Sequence, residues 1–195
     1  GYDATSIDDC VAIGRDALRG DGATAPTGDY NIAIGSYTLD AVTSGASNIA
    51  IGHNAGTAIS SGHANVLVGY EAGMALDTLS NSIAIGYGAL KTETTSGGSV
   101  AVGTYALEDQ NTASANNTAV GHNAGYNLTT GTDNVFVGHA AGGVGIITGD
   151  DNTVVGKSAG YDLTSGYRNV LLGSGAGANV TDNYTNVAIG HNAFL

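Results

Sequence analysis

Apolar residues in this chain come in triplets, and each triplet closes on a glycine: Ile49-Ala50-Ile51-Gly52, Val66-Leu67-Val68-Gly69 and Ile83-Ala84-Ile85-Gly86 are three of eleven. The closing glycines are Gly14, Gly35, Gly52, Gly69, Gly86, Gly103, Gly121, Gly138, Gly156, Gly173 and Gly190, at intervals of 21, 17, 17, 17, 17, 18, 17, 18, 17 and 17. One place before the glycine stands Val, Ile or Leu in every unit, and three places before it Val, Ile or Thr. β-Branched residues alternating over so short a run predict one strand per unit. Three places after the glycine stands alanine in ten of eleven units, Thr38 being the exception.

Polar positions obey the same period. Four places before the glycine the column reads Cys10, Asn31, Asn48, Asn65, Ser82, Ser99, Asn117, Asn134, Asn152, Asn169 and Asn186. Small polar side chains stacked at one corner can hydrogen-bond along the stack and satisfy turn backbone groups. Upstream lies a turn signal, Thr43-Ser44-Gly45 or Thr164-Ser165-Gly166. One strand and a tight turn every seventeen residues, without helical periodicity, describe an all-β parallel β-solenoid of about eleven coils, occupying residues 1–195 as a single repeat domain with an inserted loop at 19–30. Ten steps of ~4.8 Å make a rod roughly 48 Å long. The pentapeptide Gly-His-Asn-Ala-Gly at 52–56 and 121–125 is thereby one rung of scaffold.

Side-chain size alternates between two sites. Where the fourth residue after the glycine is Gly (56, 73, 125, 142, 160, 177), an aliphatic follows at Ile59, Leu76, Leu128, Ile146, Leu163 or Val180. Where it is Leu18, Leu90 or Leu107, the later site is Ala25, Glu93 or Asn111; Leu39 followed by Val42 departs from the rule. One large side chain per coil then fills one core volume from either site. Two places before the glycine are seven alanines plus Leu67, Phe136, Val154 and Leu171. A strand apolar on both faces is covered on both, so this second face, with Ala84, Ala101, Phe136 and Leu171, is expected to pack against another chain.

Composition narrows the function classes. Glycine contributes 32 of 195 residues, there is one proline, and charged residues make up 11%. Glycine without a three-residue period excludes collagen, and 42% hydrophobic content argues against disorder. A formal charge of −12 repels phosphate backbones and anionic lipid, so no nucleic-acid partner is expected. No apolar run reaches the roughly 18 residues of a membrane helix, so no membrane insertion is expected. A start at Gly1 and an end at Phe194-Leu195 suggest a fragment of a longer fibre.

Asn81-Ser82-Ile83-Ala84-Ile85-Gly86 and Ser99-Val100-Ala101-Val102-Gly103 resemble the head repeat of trimeric autotransporter adhesins. The longer unit, Asn-x-Ala-Ile-Gly-x-x-Ala-Gly followed by Thr-Ser/Thr-Gly-x-x-Asn, resembles repeats of bacteriophage tail fibres. For that family the resemblance implies a left-handed β-roll, a homotrimer around a common axis, and attachment to a host cell-surface glycan or protein receptor. The location it implies is the virion, with the bacterial cell surface as the alternative. The coil here is longer than the adhesin head's, and residues 1–195 show no neck, stalk or anchor pattern, so the phage fibre is the expected reading.

Other motifs reduce to scaffold. His53, His122, His139 and His191 follow the rung glycine in a column that elsewhere holds Arg15, Ser36, Tyr70, Tyr87, Thr104, Lys157 and Ser174, which describes a wet surface. A metal or anion there would require three imidazoles about a three-fold axis and an outer shell of supporting groups. His63 lies outside the column. Cys10 reads as a small buried side chain. Asp151-Asn152-Thr153-Val154-Val155-Gly156-Lys157-Ser158 approaches a phosphate-binding loop but lacks its first glycine and a following helix. Asp133, Asp150 and Asp151 lie in turns without a calcium-loop spacing. Arg19-Gly20-Asp21 falls in the inserted loop, a natural contact site, and the sequons at Asn116, Asn127, Asn179 and Asn183 are at chance density.

The ten tyrosines give the candidate contact surface. Tyr37 and Tyr105 share one column and Tyr70 and Tyr87 another, so exposed rings could lie against sugar faces. The acids fall in adjacent pairs (Asp8 and Asp9, Glu108 and Asp109, Asp150 and Asp151), poor geometry for an acid–base pair on a strand. No catalytic, cofactor-binding or metal-ligating residue is assigned. The expected function is a structural and adhesive fibre segment; a polysaccharide-cutting tailspike and an ice-binding solenoid are the other readings.

Overall fold

The computed structural model describes residues 9–22, 25–94, 97–111, 116–143 and 145–194. Eleven three-residue strands follow one another: β1 (Val11–Ile13), β2 (Ile32–Ile34), β3 (Ile49–Ile51), β4 (Val66–Val68), β5 (Ile83–Ile85), β6 (Val100–Val102), β7 (Thr118–Val120), β8 (Val135–Val137), β9 (Thr153–Val155), β10 (Val170–Leu172) and β11 (Val187–Ile189). They form one sheet in chain order. Every pairing is parallel, and Ile51 stands opposite Val68, which stands opposite Ile85. The chain is a parallel β-solenoid, and each coil is numbered below by its strand. Among the described residues no helix is long and apolar enough to cross a membrane.

The rung glycine is dictated by the stacking. Its φ lies between +126° and +141° in all eleven coils. A Cβ on Gly86 would stand 2.5 Å from the Gly103 carbonyl oxygen of the next coil. Backbones therefore meet at a separation that no side chain permits. Thr38, which replaces the buried alanine of the following turn, satisfies its hydroxyl by donating to the carbonyls of Gly35 at 2.6 Å and Gly52 at 3.2 Å.

The inward face of the strand is the reverse of the expectation. Ala84, Ala101, Phe136 and Leu171 are fully buried inside the single chain, so they line the coil core and are not an inter-chain face. The outward columns are the β-branched ones, with Ile51, Ile85 and Val120 exposed. The reason is room: a seventeen-residue coil encloses a thin core, and the alternation of size runs between the strand centre and the turn. Where the strand centre is large (Leu67, Phe136, Val154, Leu171), the fourth residue after the glycine is Gly73, Gly142, Gly160 or Gly177. Where that fourth residue is Leu18, Leu39, Leu90 or Leu107, the strand centre is alanine. A Cβ on Gly177 would lie 2.6 Å from Leu171 Cδ2, and one on Gly142 would lie 2.7 Å from Phe136 Cδ1.

Coils 3 and 7, small at both sites, are filled by their neighbours. A Cβ on Gly56 would meet Leu67 Cδ1 at 2.7 Å and Leu39 Cδ2 at 3.0 Å. This also accounts for Leu39 and Val42, both buried: Ala33 leaves coil 2 room, and Leu39 leans into coil 3. Two further expectations are corrected. Ile147, not Ile146, is buried, because the eighteen-residue coil shifts the site by one and pairs Ile147 with Leu128. In coil 6 the later site falls on the buried Gln110, beside the buried Leu107, and Asn111 is exposed.

The polar corner is a hydrogen-bonded ladder in two runs, from Cys10 to Ser82 and from Ser99 to Asn186. Asn48 Oδ1 accepts the Asn65 backbone N–H at 3.1 Å and its side-chain amide at 3.0 Å, while Asn48 Nδ2 donates to the Gly62 carbonyl at 2.8 Å. Where serine interrupts at Ser99, the buried Gln110 takes over: its Nε2 donates to Ser99 Oγ at 3.0 Å and to Glu93 Oε2 at 2.6 Å, and its Oε1 accepts from Asn117 Nδ2 at 3.0 Å. The asparagines of the core are thus partnered along the rod axis, while Ser82 Oγ is buried without a hydrogen-bond partner where the two runs meet.

Candidate functional site

Repetition makes the surface a set of longitudinal strips, and one of them is aromatic. The corner just past each strand carries ring after ring. Arg15 lies 4.7 Å over Tyr37 and also hydrogen-bonds its hydroxyl. Tyr37 meets His53 edge-on at 5.8 Å, and His53 stacks on Tyr70 at 5.3 Å. Tyr70 stacks on Tyr87 at 5.0 Å with planes 8° apart. Tyr105 meets Tyr87 edge-on at 5.1 Å and Tyr126 at 6.1 Å. Tyr37, Tyr70, Tyr87 and Tyr105, drawn from two sequence columns, therefore join one track over coils 2 to 7, with His53 and Tyr126 added and Arg15 of coil 1 at its end.

Glycine makes room for the change of column. Gly88 stands where nine of the other ten coils carry a side chain, and a Cβ there would be 2.8 Å from Tyr105 Cδ1. The stacked rings of His53, Tyr70 and Tyr87 cover one another's faces, as offset aromatic pairs do. What this stretch offers a ligand is ring edges and hydroxyls, a correction to the expectation of open faces.

Charged groups border the track. Lys91 Nζ lies 2.8 Å from Glu71 Oε2 and 4.0 Å from Glu108 Oε1. Glu71 is held below the ordinary carboxyl range, first by this Lys91 hydrogen bond. Burial pushes Glu108 up, against a hydrogen bond from Tyr126. The Glu71 carboxylate accepting from the Tyr70 hydroxyl holds that phenol above its usual range, and a hydrogen bond to Tyr87 does the same for Tyr105. Stacking thus gathers two carboxyls far apart in sequence, a pairing that adjacent-acid reasoning missed. An ammonium occupies the space between them, where hydrolysis of a sugar bond needs the scissile oxygen and a water.

The remaining candidates fall elsewhere. His122 and His139 stack at 5.3 Å further along the same corner. His63 is exposed, as read from sequence. Cys10 is half-buried and serves as the first ladder member, accepting from the Asn31 N–H at 3.2 Å and donating to the Gly28 carbonyl at 3.6 Å. Arg19 is tied to Asp40 at 3.4 Å and Gly20 is buried, so the Arg-Gly-Asp stretch is not held free. Burial holds Asp40 above the ordinary carboxyl range, and Arg19 only partly opposes this. Asp150 accepts from the Thr132 N–H at 2.7 Å, and Asp151 pairs with Arg168 at 3.4 Å. Asp8 lies outside the described residues. Among the described residues no group of three or more His, Cys, Asp or Glu could hold a metal ion.

A second ring pair was not singled out in the sequence. Tyr167 and Tyr184, each six places before a rung glycine, stack at 5.1 Å with planes 7° apart, and Arg168 lies 5.8 Å over Tyr167. Their shared offset was the available signal. No family model, no curated protein and no solved structure matches the chain.

Proposed function

We propose that this chain is a rod-like segment of an attachment fibre, of the phage-tail or cell-surface type, which assembles as a homotrimer and performs no chemistry. The observation that carries the reading is that every outward position repeats along the axis, so the molecule offers strips where an enzyme would offer a cleft. One strip is apolar: the columns of Ile51, Val68 and Ile85 and of Ile49, Val66 and Ile83 run the length of the sheet. A surface of that length is an assembly face. Three copies carry 3 × −12 = −36 charges, so apolar contact must outweigh repulsion. The left-handed β-roll of the resembling fibres is part of this proposal.

The aromatic track is the receptor-facing strip in this reading. Hydroxyls and carboxylates bordering ring edges suit a hydroxyl-rich ligand such as a host glycan, and the acidic border disfavours anionic ones. Light scattering together with a glycan array tests both halves. The expected result is a mass three times that of the chain, and binding of neutral glycans that is lost in Tyr70→Ala with Tyr87→Ala. A monomer in solution would overturn the fibre assignment; glycan binding that survives the double variant would remove the track from it.

A further inference from the structure

We infer that the two parallel tyrosine pairs, Tyr70 with Tyr87 and Tyr167 with Tyr184, are sites of oxidative coupling that staple adjacent coils covalently. This does not depend on what the track binds. Both pairs are coil-to-coil neighbours with nearly parallel rings, at 5.0 Å and 5.1 Å and interplanar angles of 8° and 7°. All four rings are open to solvent, between 40% and 60% exposed, so an oxidant can reach them. Parallel stacking turns the π faces of the two rings, whose ortho carbons share a phenoxyl radical's unpaired spin, toward one another. In the edge-on pairs, such as Tyr87 with Tyr105 at 81°, an edge is directed at a face.

The chemistry balances with a peroxide oxidant. Each phenol gives up one electron and one proton to become a phenoxyl radical, and the Tyr70 hydroxyl already hydrogen-bonds the Glu71 carboxylate, a ready proton acceptor. The two radicals join through a carbon–carbon bond between ortho positions. The hydrogens on those carbons then move to the oxygens, restoring both phenols. The pair loses two hydrogen atoms in all, and one hydrogen peroxide becomes two waters. Coils of a solenoid are held by their neighbours alone, so a covalent bond between two of them reinforces the interface that holds each. The Tyr167–Tyr184 staple would tie coil 10 to coil 11 and the Tyr70–Tyr87 staple coil 4 to coil 5.

The test is to treat the chain, dilute and folded, with a peroxidase and hydrogen peroxide, then to map cross-linked peptides by mass spectrometry. The expected products join Tyr70 to Tyr87 and Tyr167 to Tyr184 within one chain. Tyr87→Phe and Tyr184→Phe keep the rings and should each abolish one product, leaving dityrosine fluorescence near background in the double variant. Tyr161, also solvent-open but without a stacked ring among the described residues, should remain unmodified. Dityrosine found only between chains, mapped to other tyrosines, or undiminished in the double variant would overturn the inference.

Discussion

Leu67 overlies Gly73 across the core of coil 4, its Cδ2 2.6 Å from where a side chain on that glycine would begin. The two positions share one volume. Gly73→Leu alone is expected to overpack at a cost of about 1–3 kcal/mol, and Leu67→Ala alone to leave a cavity costing about 2–5 kcal/mol. Combined, they give the Ala33 and Leu39 arrangement of coil 2, which also keeps a buried aliphatic, Val42, at the later site where coil 4 has Leu76, and should recover most of both losses. A double-mutant cycle by urea unfolding measures this; additive losses would show that the sites are independent.

The corrected orientation of the strand predicts opposite fates for neighbouring residues. Val68→Glu with Ile85→Glu points charge outward, and the variant should stay folded by circular dichroism while its mass falls to that of one chain. Ala84→Glu would bury an unpaired carboxylate in the core, and loss of the fold is expected. A variant with both outward glutamates that remains trimeric would place assembly on another surface.

Removing one ladder rung should leave a local wound. Asn152 Oδ1 accepts the Asn169 N–H at 3.1 Å, and its Nδ2 donates to the Gly166 carbonyl at 2.8 Å. Asn152→Ala strands both groups, at about 1–3 kcal/mol each. Amide hydrogen exchange at Asn169 should accelerate, with amides several coils away unaffected; unchanged protection there would mean water replaces the rung.

Acid should act through Glu71 and Glu108 in opposite senses. Glu71 is depressed in the folded state below its ordinary 4.5, so its contribution is complete above that value and vanishes as pH falls through the folded one. Glu108 is raised above 4.5 by burial, so its contribution grows as pH falls. Melting temperature followed between roughly pH 6 and pH 3 should lose steepness in Glu71→Gln and gain it in Glu108→Gln. An unaltered acid limb in Glu71→Gln would show that the Lys91 pair does not contribute.

Period, strands, rung glycines and the polar corner were all legible in the sequence, because each is imposed coil by coil and so repeats as a column. Which side of the strand faces inward was not. Ile-Ala-Ile and Val-Leu-Val are apolar on both faces, and hydrophobicity alone cannot orient them. Size could have: the exclusion between Leu67 and Gly73, or Ala84 and Leu90, is written in the columns, beside the second exclusion at the later aliphatic site. Ile147 escaped because one extra residue displaced it. The ring track escaped because Tyr87 and Tyr105 belong to different columns, and only Gly88 lets the path cross between them.

The in-register pairing of every coil with the next has a consequence for reach. No rung depends on any but its two neighbours, so the molecule has no centre and no fixed size. Excising residues 69–85 would join Val68 to Gly86 and restore the same junction. Recombination within the gene can therefore lengthen or shorten the shaft in steps of ~4.8 Å, tuning how far it extends as one tunes a ruler by adding divisions.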